Sequence, residues 1–333
     1  MSITIGPYRI EGSLFLAPMA GVADFPFRAQ CRHFGADYTV GEMVSSQPQL
    51  WQSEKSRLRL ALDHEPHPRV VQLLGADPQA LKEAFHRAKQ AGADIVDFNM
   101  GCPAKKVCNV ACGSALMRNE ALAHKIIRAL GQASVECALP VTLKCRTGWD
   151  GSHKNAVTIA KMAEEAGFSM VTVHGRTRAE AYSGQAEYET IAQVVDAVKI
   201  PVVANGDITD ANRARAVLNY TKAAAVMIGR GALGRPWVFA EMKAALAGQV
   251  FCLNWSQKAD AVLTHARTHY AYYPQTMAAR TFRKHLLWYL EDFPDFAPVR
   301  SSLCQAQTAQ EQYALLVKYF HSRGWCLKSD GCL

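Results

Sequence analysis

A (β/α)8 TIM barrel followed by a small all-α helical bundle is the fold this sequence predicts. Three observations carry it: eight short β-rich apolar runs whose starts lie roughly 23 to 46 residues apart, amphipathic segments between them, and a loss of strand-like runs after about Gly248. The runs are Leu14–Ala17, Tyr38–Gly41, Val70–Leu73, Ile95–Asn99, Val141–Cys145, Met170–His174, Val202–Asn205 and Ala225–Ile228. Their β-branched and aromatic side chains suit a buried pleated surface, and the spacing leaves room for one helix after each. Pro78–Ala91 alternates apolar and basic residues at helical spacing, and His153–Ala166 and Asp210–Asn219 behave similarly. Gly92 and Gly167 stand where two of these helices should stop. An open doubly wound sheet needs fewer strands and usually one dominant nucleotide loop. Gly229-Arg-Gly-Ala-Leu-Gly234 does match G-x-G-x-x-G, but no strand follows it, and no acidic residue ends a strand about 20 residues later. It is not read as a dinucleotide fingerprint.

From Trp255 onward the segments are helical and rich in Gln, Ala, Tyr and His, with Pro274, Pro294 and Pro298 as punctuation. They predict three or four helices. The expected division is residues 1–247 for the barrel and 248–333 for the bundle, with a frayed tail over 328–333.

Composition bounds the class. With 49% apolar residues among 333, the chain can bury a sizeable core, which excludes disorder. No charge-free stretch of about 18 residues exists, so no membrane span is expected. Residues 1–12 lack a basic region followed by an apolar one, so no signal peptide is expected. Ten cysteines in such a chain read as reduced thiols of a cytoplasmic protein, and a monomer is the default expectation. The net charge of +8, from 37 basic and 29 acidic residues, points to an anionic partner. Residues 248–333 hold nine Lys/Arg and six Asp/Glu, so +3 lies there and +5 on the barrel.

Barrels place their chemistry at the C-terminal ends of the strands. Polar or glycine-rich punctuation stands at seven of the eight ends here: Ala17-Pro18-Met19-Ala20-Gly21, Gln72, Asn99-Met100-Gly101-Cys102-Pro103, Lys144 and Arg146, His174-Gly175-Arg176-Thr177-Arg178, Asn205-Gly206-Asp207, and Gly229-Arg230-Gly231. The last two ends suit a phosphate, with close-approach glycines and one guanidinium. Cys102 at the mouth reads as a nucleophile or general acid, whereas most of the other cysteines read as small buried hydrophobes. The C-x5-C-x3-C spacing of Cys102, Cys108 and Cys112 lacks the C-x2-C pairs of zinc sites, so no metal is expected. Lys144 interrupts an apolar strand and needs an anionic partner, such as a cofactor atom charged on reduction. His174 is open between ligand, acid, cofactor contact and supporting residue. On the helix around residues 280–290, Arg280, Arg283 and Lys284 form a basic face while Phe282, Leu286, Tyr289 and Leu290 can pack inward; upstream, His269, Tyr270, Tyr272 and Tyr273 add aromatic surface for a nucleic acid.

At this point the motifs resemble a known family. Ala17–Gly21, Asn99–Val107, Val141–Trp149, His174–Arg178, Tyr182–Ala186, Asn205–Ile208, Gly229-Arg230 and Arg283–Tyr289 are similar to the tRNA-dihydrouridine synthases, and the wording is closest to the bacterial B type. The resemblance runs in matching order over roughly residues 10–320. It implies an FMN-dependent oxidoreductase that reduces a D-loop uridine of tRNA to 5,6-dihydrouridine, with NADPH as reductant. Hydride would pass from reduced FMN to C6 of the uracil, and Cys102 would protonate C5. By similarity, Pro18, Met19 and Ala20 line the flavin, Gln72 and Lys144 contact its ring, and His174 lies beside it. Asn205, Gly206, Asp207, Gly229 and Arg230 hold the phosphate. Asn99 and Arg176 face the uracil, with Arg146 and Arg178 at the mouth and Arg280, Arg283 and Lys284 on the helical domain as further tRNA contacts. Cys108, Cys112 and Cys145 are extra thiols beside the family pattern, and the segment after Gly324 matches nothing in it. Two alternatives share the flavin: a barrel acting on a free pyrimidine or small enone, which needs no basic helical domain, and a non-catalytic tRNA-binding flavoprotein, which needs no Cys102.

Overall fold

All eight apolar runs form strands, and the strands are parallel. The computed structural model describes residues 2–325; the expected frayed tail lies outside them. An antiparallel hairpin of β1 (Ser2–Ile5) and β2 (Tyr8–Glu11), which the sequence reading did not anticipate, precedes the barrel. The barrel strands are β3 (Leu14–Leu16), β4 (Tyr38–Thr39) and β5 (Val44–Ser45), then β6 (Val70–Leu74), β7 (Ile95–Met100), β8 (Val141–Arg146), β9 (Met170–His174), β10 (Val202–Asn205) and β11 (Ala225–Ile228). The order β4-β3-β11-β10-β9-β8-β7-β6-β5 makes the first barrel strand pair with the last, through Val226↔Leu14 and Met227↔Phe15. The second strand is split: β4 pairs with β3 and β5 with β6, and in the break the buried Glu42 binds Arg59 at 2.7 Å. The ring of a (β/α)8 barrel thus closes across a strand in two pieces.

Helices alternate with the strands: α1 (Phe25–His33), α2 (Glu54–Leu60), α3 (Pro78–Gln90), the single turn α4 (Lys105–Cys108), α5 (Glu120–Cys137), α6 (Ala156–Glu165), α7 (Glu189–Ala197) and α8 (Ala211–Thr221). Side-chain caps start several of them, Asp77 on Ala80 and Asp210 on Arg213 among them. Gly92 and Gly167 take the left-handed conformation at their stops, with φ of +90° and +85°. The barrel core joins Phe15, Tyr38, Ile95, Met170, Val203 and Met227 with Ile3, Ile5 and Ile10 of the hairpin.

A second unit comprises Pro26–Gly35 and the chain from Gly231 onward, and the first comprises the chain to Phe25 with Ala36–Arg230. The second therefore begins earlier than the expected 248 and recruits most of α1. The reason is packing. Trp237, just before α9 (Val238–Leu246), is 4% exposed in the helical core and meets Phe34 edge-on, and the Gln30 amide donates to the Ala261 carbonyl. The rest of this core comes from α10 (Trp255–Tyr272), α11 (Gln275–Leu290), α12 (Ala297–Gln305) and α13 (Ala309–Ser322), through Val262, Ala266, Phe282, Leu286, Leu290 and Phe320. Gly234 takes φ +64° against the Trp288 carbonyl, where a β-carbon has no room. Among the described residues no helix is long and apolar enough to cross a membrane.

Candidate active site

The strand ends expected to carry chemistry form one hydrogen-bonded network in the first unit. At its base Asp97, 2% exposed, accepts from Gln72 Nε2 at 2.7 Å and Thr142 Oγ1 at 2.6 Å. Burial pushes the Asp97 carboxyl above its ordinary value, although both hydrogen bonds and the Lys144 charge oppose this. Gln72 Oε1 in turn accepts from Asn99 Nδ2 at 2.8 Å, and Asn99 Oδ1 accepts the backbone N–H groups of Gly101 (3.1 Å) and Cys102 (3.0 Å). A strand end thereby fixes the loop that carries the thiol. Ser114 adds a second tie, donating its hydroxyl to the Cys102 carbonyl at 2.8 Å.

Cys102 is half-buried. Burial, with neighbouring Cys108, raises its thiol above the ordinary value, against the lowering by the Ala104 N–H and the Arg146 charge. It is therefore a protonated thiol at neutral pH, able to give a proton rather than poised as a thiolate nucleophile. Cys108, Cys112 and Cys145 are buried, and burial drives Cys145 up to about 12.

Across the mouth, Lys144 Nζ donates to Asn205 Oδ1 at 2.9 Å, the His174 Nδ1–H donates to the same oxygen at 2.9 Å, and Asn205 Nδ2 donates to the Met227 carbonyl at 2.7 Å. Burial, then the charges of Lys144, Arg146 and Arg176, hold His174 down at about 2, with the Asn205 bond opposing. Its imidazole is neutral and cannot serve as an acid at neutral pH, which narrows the reading left open above. Lys144 is lowered to about 8, first by burial and then by Arg146, against the raising effects of Asp97 and Cys145. It has a hydrogen bond to an amide but no carboxylate ion pair among the described residues.

Two arginines expected at the substrate are instead committed to the loops. Arg146, 2% exposed, donates Nε to the Gly101 carbonyl (2.7 Å) and Nη1 to the carbonyls of Thr177 and Ala181 (both 2.8 Å). Arg176, 1% exposed, forms a bidentate pair with Asp207 (2.6 and 3.0 Å) and donates to the carbonyls of Ser183 and Gly184. Loops without a ladder of their own leave carbonyls unpaired, and a forked guanidinium satisfies several at once. In this arrangement Arg176 braces the loops at the mouth. Asp207 likewise has its carboxylate engaged by Arg176, Arg230 at 3.1 Å and the Ala186 N–H. Burial raises it, but these three contacts win and hold it below the usual carboxylate range. The Asp207 side chain is thus tied to two arginines, of which Arg230 remains exposed at 53%.

Pro18 and Met19 are half-buried and Ala20 exposed after β3, and Gly229 approaches Ala17 and Met19 closely. Gly206 has φ +127°, and a β-carbon there would strike Ala186. Arg178 follows β9 in the loop at the mouth, and its buried Nε has no hydrogen-bond partner among the described residues. On the second unit Arg280 is exposed, Arg283 donates to the Ala306 carbonyl and Lys284 is half-buried. The aromatic surface expected upstream is largely absent. His269 and Tyr270 are 0% and 8% exposed because α10 turns them into the helical core.

Sequence reasoning missed Asp97, Thr142 and Tyr182. An aspartate inside the apolar run Ile95–Asn99 was the available signal for the first. Tyr182 is 57% exposed, with the guanidiniums of Arg230 and Arg146 at 5.3 and 5.5 Å from its ring centroid.

Comparison with known proteins gives a consistent result. The family model for dihydrouridine synthase (Dus) matches residues 15–323. A tRNA-dihydrouridine synthase B of Pseudomonas aeruginosa is 47% identical over 323 residues, covering 96% of both chains. Those of Xanthomonas axonopodis pv. citri and Salmonella typhimurium are 48% and 44% identical, covering 95% and 96% of this chain and 95% and 99% of theirs. Among solved structures, a histamine dehydrogenase from Rhizobium sp. 4-9 shares the fold with a TM-score of 0.54 at 13% identity, over 80% of this chain and 50% of that one.

Proposed function

Since the chain belongs to the dihydrouridine synthase family, we propose that the barrel mouth reduces a uridine of tRNA to dihydrouridine, with Cys102 as the proton donor, FMN as the bound cofactor and NADPH as its reductant. Dihydrouridine synthases are flavin-dependent oxidoreductases, and the residues present suit a flavin. Lys144 is a largely buried cation without a carboxylate partner, which fits an electron-rich ring edge. Gly229 keeps its side of the mouth free of a side chain, and Arg230 retains exposed guanidinium for a phosphate. Pro18, Met19, Ala20 and His174 complete the wall, and Gln72, 1% exposed and hydrogen-bonded at both ends of its amide, supports it from beneath. When bound, the flavin supplies the hydride that adds to C6 of the uracil.

The chain's own residues handle position and proton. Asn99 holds the Cys102 loop in register through two backbone N–H groups and keeps one amide N–H for a base. Cys102, a thiol whose raised pKa keeps its proton until needed, gives that proton to C5 as charge builds there. Arg146 and Arg176 clamp the loops and so set where a base can enter. A uracil stacked inside folded tRNA cannot reach this mouth, so it is extruded at a cost of about a few kcal/mol. Contacts to the phosphate backbone offset that cost, and Arg178, Arg280, Arg283 and Lys284 are the cations assigned to them.

The observation that carries the reading is the half-buried Cys102 at the mouth, its loop pinned by Asn99, in the same strand-end cluster as Lys144, a cation without a carboxylate partner among the described residues. The test is dihydrouridine content, by mass mapping, of tRNA from a deletion strain carrying wild-type or Cys102→Ala protein, alongside the visible spectrum of each. The expected outcome is two yellow proteins, of which only the wild type restores dihydrouridine. A colourless wild type, or restoration by Cys102→Ala, overturns the reading.

A further inference from the structure

Three consecutive loops of the barrel mouth converge on one indole. The loop after β7 ends in Arg118, the loop after β8 carries Trp149, and the loop after β9 carries Arg178. The guanidinium carbons of Arg118 and Arg178 lie 4.7 and 4.6 Å from the Trp149 ring centroid. Backbone bonds fix the arrangement: the Arg178 and Ala179 N–H groups donate to the carbonyls of Gly148 and Trp149, both at 2.9 Å. The Asn155 amide donates to the Met117 carbonyl at 2.7 Å, which ties the turn carrying Arg118 to the same loop.

The two cations lack counterions. Among the described residues neither guanidinium has a hydrogen-bond or ion-pair partner, and Arg178 Nε is a buried donor with no acceptor. The carboxylates of these loops are engaged elsewhere. Glu120 accepts from Asn155, Glu180 from the N–H and hydroxyl of Thr177, and Asp150 from Ser152 and His153. Stacking on one ring keeps the like charges within about a Debye length of each other, ~8–10 Å at physiological salt, where they repel. A group with several anionic oxygens relieves that repulsion and supplies the missing acceptor.

We propose that Arg118, Trp149 and Arg178 form a preorganised clamp for an RNA phosphodiester next to the nucleotide whose base enters the mouth. This rests on the tRNA reading above. Trp149 acts as a positioning residue that presents both guanidiniums already ordered, so little side-chain entropy is lost on binding. Phosphate contacts carry no base information, so the clamp fixes orientation of the strand rather than its sequence.

The test uses flavin-loaded full-length protein and an unmodified tRNA transcript, titrated over a range of salt. Arg118→Gln and Arg178→Gln are each expected to weaken binding about tenfold at low salt, and the double variant to reduce the slope of log affinity against log salt by ~0.7–0.9, the share of one phosphate. Flavin content and melting temperature should stay at wild-type values for Arg118→Gln, because that side chain is exposed. Trp149→Phe, which keeps a ring for stacking, should retain more affinity than Trp149→Ala. If the Arg118→Gln, Arg178→Gln double variant keeps the wild-type slope, the clamp is refuted. A wild type that binds no tRNA instead refutes the function on which the clamp rests.

Discussion

Acid should weaken the helical unit more steeply than its surface charges explain. Three histidines lie in its core, His265, His269 and His285, each 0% exposed, with His265 and His285 rings 4.8 Å apart. Burial is the first cause holding all three below their ordinary range, at about 3 for His265, about 2 for His269 and well below normal for His285; the Lys284 charge adds to it. The native unit therefore keeps them neutral, while the unfolded chain protonates them near 6.5. Folded values below the unfolded one mean that stability is complete above about pH 6.5 and is lost as pH falls from there towards 3. At pH 5.5 each imidazole lowers stability by about 1.4 kcal/mol relative to pH 7.5, or ~4 kcal/mol for three, a large share of a typical ~5–15 kcal/mol. Urea unfolding followed by tryptophan fluorescence reads it, since Trp237, Trp255, Trp288 and Trp325 all belong to this unit. With a slope of ~2–3 kcal/mol/M the midpoint should drop by about 1.5–2 M between pH 7.5 and 5.5. His285→Leu removes an imidazole whose ring nitrogens have no hydrogen-bond partner among the described residues, and should flatten the dependence by about a third. Equal midpoints at the two pH values, or an unchanged dependence in His285→Leu, would refute the reasoning.

Other predictions follow from the site and the turns. Cys102→Ala should lower the rate of dihydrouridine formation on a tRNA transcript by about 10²–10⁴-fold while flavin absorbance persists. Lys144 carries its charge below about pH 8 and loses it above, so flavin release measured by ultrafiltration should rise as pH passes through 8, and Lys144→Met should release flavin at every pH. Asp207→Ala leaves the buried Arg176 without its counterion; it should destabilise the first unit by about 3–5 kcal/mol, seen in denaturant melts. Gly234→Ala forces a side chain into a left-handed turn against the Trp288 carbonyl, and should lower the melting temperature by about 4–8 °C for ~2 kcal/mol lost.

Much of the fold was legible because its signals are local. Runs such as Ile95–Asn99 and Val202–Asn205 announce buried parallel strands, and their polar last residues mark the mouth. The split of the second strand was not legible, since Tyr38–Gly41 looks like one run and the break depends on pairing with two different neighbours. The packing division at Gly231 differs from the compositional one at 248 because Trp237 and α1 declare their allegiance only through packing. At the site, position along a strand end located Cys102, Asn99, Lys144 and His174, but it said nothing about partners. Arg146 and Arg176 therefore read as substrate ligands, although the carbonyls they serve lie in loops up to 45 residues away in sequence. His269 and Tyr270 misled for a similar reason: aromatic content shows that surface must be covered, not whether protein or RNA covers it.

The bracing by Arg146 and Arg176 has a consequence for how the loops can diversify. Apart from Asp207 and the His174 Nε2, the acceptors these two arginines use are main-chain carbonyls, at Gly101, Thr177, Ala181, Ser183 and Gly184. Every amino acid presents that same group. Positions in residues 177–184 whose side chains carry no contact of their own, such as Ala179 and Ser183, can consequently change without loss of these braces, while the scaffold under the reacting base stays where it is.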